Sequence, residues 1–129
     1  IPAPSKSRDA HRTSDLGQIE LALEFYYEAH QKFPTTLSLL VKEKYIPELP
    51  VDPLDKKPYY YQQLKSGKTY ALGASLEETD GRGLDENRQF EKKTILETDA
   101  DQKISGFKTA DDKGCNGEVG RHCYDFSPY

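Results

Sequence analysis

The sequence predicts an α+β domain in which one long N-terminal helix packs on a small antiparallel sheet and a disulfide-closed loop region ends the chain. Three observations predict it: apolar residues at a helical period over 7–33, aromatic-rich segments of period two over 59–98, and a pair of cysteines near the C-terminus. With 129 residues and 35% hydrophobic content, the chain can build one modest core and not two. Residues 1–129 are therefore expected to form a single domain. Its parts are the long helix (1–33), a short helix and proline-rich crossover (34–58), the sheet (59–98) and the C-terminal loop region (99–129).

In the helix, Leu16, Ile19, Leu23, Tyr26 and Phe33 recur at spacings of three, four, three and seven. They line one face at the 3.6-residue period. His30 fills a gap in this stripe, Ala22 and Ala29 flank it, and Asp15, Gln18, Glu20, Glu24 and Glu28 are among the polar residues assigned to the remaining surface. At 1.5 Å per residue the helix would be roughly 40 Å long, more than the diameter of a compact domain of this size, so one end is expected to project. Leu21 and Phe25 sit at i, i+4 on a flank that the main stripe does not cover. That flank reads as a surface for a second partner, or as a patch covered by a loop of the same domain.

Pro34 is expected to stop the helix, and Thr35 or Thr36 to cap a short second one carrying Leu37, Leu40, Val41 and Lys44. Pro47, Pro50, Pro53 and Pro58 make 48–58 an extended crossover with turns. Strands follow over 59–63 and 69–76, joined by a hairpin turn at 65–68. Tyr59 and Tyr61 are placed on one face and Tyr60 on the other, with one face of the sheet on the long helix. Phe90, Thr94 and Leu96 suggest a third strand within 89–98, and 123–126 a short final one, for a sheet of about three or four strands.

Charged residues make up 31% of the chain, yet the net charge is only -4, which selects neither nucleic acid nor an anionic membrane. The lysines at 56, 57, 65 and 68 lack stacking aromatics in register, so no nucleic-acid partner is expected. Lys6, Arg8, His11 and Arg12 crowd the first dozen residues. Positive charge at a helix start opposes the macrodipole, so the cluster reads either as a membrane exit, where Lys and Arg follow an apolar segment, or as a solvated basic tail. Together with a start that lacks Met, this suggests a processed or truncated product. No apolar run is long enough to span a bilayer.

Several clusters could carry chemistry. Asp80, Asp85, Glu86 and Asn87 surround glycines in an acidic loop, and hard cations such as calcium need many close oxygens. Asp99 and Asp101 begin like an EF-hand loop, but Lys103 and Ile104 break that pattern, leaving an irregular site with Asp111. Cys115, His122 and Cys123 lack the spacing of a zinc site, so a Cys115–Cys123 disulfide is favoured, with His122 a loop histidine. A ring this short stabilises by about 2.5 kcal/mol in the chain-entropy account and points to an oxidising compartment. There is no nucleophile motif or P-loop, and His11 and His30 read as surface or boundary residues, so no enzyme is expected.

In order, Ile1-Pro2-Ala3, the basic stretch 5–12, the helix S-D-L-G-Q-I-E-L-A-L-E-F-Y-Y, F-P-T-T-L-S-L-L, Y-I-P-E-L-P-V-D-P and the strands over 59–77 resemble a type IV pilin or type II secretion pseudopilin lacking its transmembrane half-helix. The resemblance covers roughly the first two thirds of the chain. It implies a pilin-like fold, anchoring in the bacterial inner membrane through an upstream segment, and assembly with copies of itself into an extracellular filament. It also implies a C-terminal disulfide loop, matched by Cys115 and Cys123. Leu21, Phe25, Arg8 and Arg12 become the expected filament interface. Major pseudopilins carry calcium after the Y-x-L-G-A strand, which maps onto Asp80 and Asp85, although their D-G-x-x-G-G pattern is not kept. The disulfide and long tail favour a pilus subunit over a pseudopilin. A calcium-dependent extracellular binding module using Asp80, Asp85, Asp99 and Asp101 is the reading from another class.

Overall fold

The computed structural model describes residues 4–78, Cys115 and 118–127. The expected strand within 89–98 and the candidate calcium ligands Asp80, Asp85, Asp99, Asp101 and Asp111 lie outside the described residues.

Helix α1 (Ser5–His30) opens the domain. Leu16, Ile19, Ala22, Leu23 and Tyr26 are buried, as their period predicts. The buried face also runs on towards the N-terminus through Asp15, Arg12 and Asp9, so Asp15 is not the surface residue expected. Among the described residues the N-terminal end of the helix does not project as expected. Asp9 accepts hydrogen bonds from the backbone N–H groups of Glu77 and Glu78, both at 2.8 Å, and the Ser5 hydroxyl bonds the Glu78 carboxylate. The first turns are thus tied to the end of the sheet.

The helix stops before Pro34 can act. Gln31 adopts left-handed geometry (φ 61°) and its N–H closes on the Tyr27 carbonyl at 2.7 Å. Phe33 is therefore buried from a loop rather than from the helix. Its N–H donates to the Gly67 carbonyl at 2.8 Å, where Gly67 has φ 96° and a Cβ would come within 2.9 Å of the Lys32 Cβ. Only glycine allows that close passage.

Helix α2 (Ser38–Lys42) follows, with Leu37 at its N-cap and no side-chain capping bond. The expected threonine cap is not formed, because the Thr36 hydroxyl pairs with the Ser38 hydroxyl at 2.8 Å. Leu40 and Ile46 bury the segment against α1 and the sheet. In the crossover, Val51 and Pro58 form an isolated bridge, and Asp52 turns the chain by accepting from the Leu54 N–H at 2.8 Å.

Strands β1 (Tyr60–Leu64), β2 (Thr69–Leu76) and β3 (His122–Phe126) form an antiparallel sheet in the order β1-β2-β3. His122 thus belongs to a strand and not to a loop. Tyr70, Leu72, Ala74 and Leu76 meet α1 in one core with Tyr59 and Tyr124. All eight residues of β2 are buried, so both of its faces are covered. On the face away from the core, Ser75 Oγ accepts from the Cys115 N–H at 2.9 Å and Thr69 pairs with Ser127 at 2.7 Å.

Candidate functional site

Two features of α1 bear on function: a charged cluster that seats the helix, and an apolar flank that the domain leaves open. In the cluster, Arg12 is completely buried. Its Nε and Nη2 donate to the two carboxylate oxygens of Asp52 at 2.9 and 3.0 Å, a bidentate geometry. Nη1 donates to Asp9 at 2.8 Å and to Glu77 at 2.7 Å. Arg8 holds Glu77 through Nε at 2.6 Å and Nη2 at 2.7 Å, and Arg121 reaches Asp52 at 3.0 Å. One guanidinium therefore joins α1, the crossover and the end of β2, while Arg121 brings in the start of β3.

The electrostatics follow from this packing. Burial works against the Arg12 charge, but its bonds to Asp52, Glu77 and Asp9 outweigh that penalty and hold the guanidinium above its ordinary value. Burial likewise opposes ionisation of Asp52, yet Arg12 and the Leu54 N–H bring its carboxyl below the usual range. Bonds from Arg8 and then Arg12 hold Glu77 down at about 2. Beside the cluster, Asp15 accepts from the Tyr59 hydroxyl at 2.6 Å and lies 3.3 Å from His11 Nε2. Burial and this carboxylate push the Tyr59 phenol up.

Arg8 and Arg12, expected at a filament interface, are thus turned into the domain. Arg12 has no surface to offer a neighbour, and the reason is the set of carboxylates brought to it from distant sequence. A signal was present: Arg12 and Asp9 lie four and seven residues before Leu16, on the continuation of the buried stripe. Asp52 and Arg121 carried no local signal.

The flank behaves differently. Leu21 is 59% and Phe25 51% exposed, one turn apart on the outside of α1. Ala10, Ser14, Gly17, Glu24 and Glu28 are exposed on the same helix. At the C-terminal end His30 stacks on Tyr26, with ring centroids 4.1 Å apart, and its Nε2 lies 2.8 Å from Glu43.

Cys115 and Cys123 form a disulfide with S–S 2.07 Å, and Cys115 is buried against β2. Among the described residues no group of three or more His, Cys, Asp or Glu side chains is arranged to hold a metal ion. Among them, too, no helix is long and apolar enough to cross a membrane. Compared with family models, curated proteins and solved structures, the chain matches none of them.

Proposed function

We propose that this chain is a structural subunit of a type IV pilus filament, with the pilin-like fold that the resemblance implies. The observation that carries this reading is the pair Leu21 and Phe25, both more than half exposed on a helix whose opposite face is completely packed. Isolated exposed apolar side chains are ordinary, but two large ones aligned on the outside of the longest element form a face that burial by a neighbour would stabilise. An open, head-to-tail assembly would bury this face against the next copy along the filament. The disulfide that ties Cys115 to β3 supports a pilus subunit over a pseudopilin and suits an extracellular filament. Under this reading the subunit is anchored in the bacterial cytoplasmic membrane before assembly.

The test is filament yield. Leu21→Glu and Phe25→Glu are introduced into the intact gene product, and filaments are sheared from cells and quantified. Both substitutions lie on the surface and should change domain stability by about 0.5 kcal/mol or less. Loss of filaments with an unchanged unfolding midpoint is expected. Normal filament yield from a normally folded variant would refute the interface and, with it, the subunit reading.

A further inference from the structure

Asp15 is set apart from the other carboxylates packed around the first half of α1. Asp9, Asp52 and Glu77 bond the guanidinium groups of Arg8, Arg12 and Arg121, three acids matched by three bases. Asp15 bonds none of these arginines. It is 5% exposed, and its direct partners are the Tyr59 hydroxyl, which donates to Oδ2 at 2.6 Å, and the His11 imidazole, whose Nε2 lies 3.3 Å from the same oxygen. A phenol and an imidazole are not permanent cations, and a carboxylate kept from water is stabilised by an ion that it can pair with or coordinate.

The spacing to His11 sets what that ion can be. At 3.3 Å the pair is longer than an ordinary N–H···O bond. A zinc ion at its usual distance of about 2.0–2.1 Å from both atoms would see them subtend roughly 105°, close to the tetrahedral angle. His30 and Glu43 form the contrasting pair at 2.8 Å, and the same construction there gives roughly 85°, too narrow for that geometry. His11 and Asp15 are one turn apart in α1, so the backbone fixes their separation. Tyr59 holds Asp15 from the domain side, as outer partners orient metal-bound carboxylates. The His11 side chain is 59% exposed, which leaves the remaining coordination positions open to water.

We infer that His11 and Asp15 form a two-donor site for zinc, or for another first-row divalent cation that favours imidazole, through His11 Nε2 and a carboxylate oxygen of Asp15. The imidazole selects such ions over calcium and magnesium, which take oxygen ligands. The site does not depend on the filament reading.

The test is a zinc titration of the 129-residue protein at about pH 7.5, followed through the imidazole nitrogen resonances by NMR. Zinc should move the His11 Nε2 resonance along a saturable one-site curve, and calcium at the same concentration should not. Asp15→Asn should weaken the binding seen at His11 by about tenfold or more, whereas His30→Gln leaves it unchanged. Calorimetry on His11→Gln should show one zinc-binding event fewer than the parent. His11 is exposed, so the unfolding midpoint of that variant without zinc should match the parent and separate loss of a site from loss of the fold. An unmoved His11 resonance up to about 1 mM zinc, an equal response to calcium, or unchanged calorimetry in His11→Gln would each overturn the site.

Discussion

Replacing Arg12 with Met keeps most of the length of the side chain but removes the one cation that Asp9, Asp52 and Glu77 share. Four hydrogen bonds from the guanidinium are lost, and the Asp9 and Asp52 carboxylates remain buried. Breaking a buried ion pair from one side costs about 3–5 kcal/mol, because the abandoned charge stays desolvated. With about 2.1 cal/mol/K of unfolding entropy per residue, that loss lowers the thermal midpoint of a 129-residue domain by roughly 10–20 °C.

The pH dependence gives a second readout. The Glu77 carboxyl, ordinarily at 4.5, is held at about 2 in the folded domain. Its contribution is therefore present above its unfolded value and is lost as pH falls from about 4.5 towards 2. In Arg12→Met this acid-dependent loss should shrink without vanishing, because Arg8 still holds Glu77. Urea unfolding at a series of pH values measures both effects. A loss below about 1 kcal/mol, with an unchanged acid limb, would place the cluster among solvated surface pairs and refute its role as the joint of the fold.

Three further outcomes are expected. Cys115→Ser opens the ring closed across eight residues and should lower stability by about 2.5 kcal/mol, measured as a fall in the urea midpoint that reductant reproduces in the unsubstituted protein. Gly17→Ala should raise stability by about 1 kcal/mol, since the new methyl meets nothing and the helix loses its interior glycine; a lower midpoint would count against the open space there. Burial pushes the Asp125 carboxyl up to about 7, so its contribution is complete below the ordinary 3.8 and is lost as pH rises through about 7. Asp125→Asn should accordingly unfold at a higher temperature than the parent at pH 8, with the advantage narrowing towards pH 4; an equal gain at both values would assign it to something other than ionisation.

What could be read from the residues alone depended on how local the physics is. The stripe Leu16, Ile19, Leu23 and Tyr26 needs only the helical period, and 69–76 needs only alternation between turn residues, so both elements were found at or near their bounds. The end of α1 was misplaced because Pro34 is a strong local breaker, whereas the actual stop uses left-handed Gln31 and a backbone bond from Phe33 to Gly67 across the domain. Period two placed one face of the sheet on the long helix and left the other unassigned. The small side chains Ala71, Gly73 and Ser75 were the overlooked sign that something packs there, and Cys115 does so against Ser75.

The arginine cluster shows the same limit most sharply and ties it to the candidate surface. Arg12 meets Asp52 across 40 residues of sequence and Glu77 across 65, separations over which no spacing rule operates. Read locally, Arg8 and Arg12 belong to a basic patch for a partner. Folded, they neutralise carboxylates of their own domain, and the outside of α1 keeps Lys6 exposed at that end. A strongly basic helix end would repel its copies wherever they approached end to end. Internal neutralisation of the two arginines removes that repulsion, and under the filament reading it leaves the apolar flank of Leu21 and Phe25 as what the outside of α1 would offer a neighbouring copy.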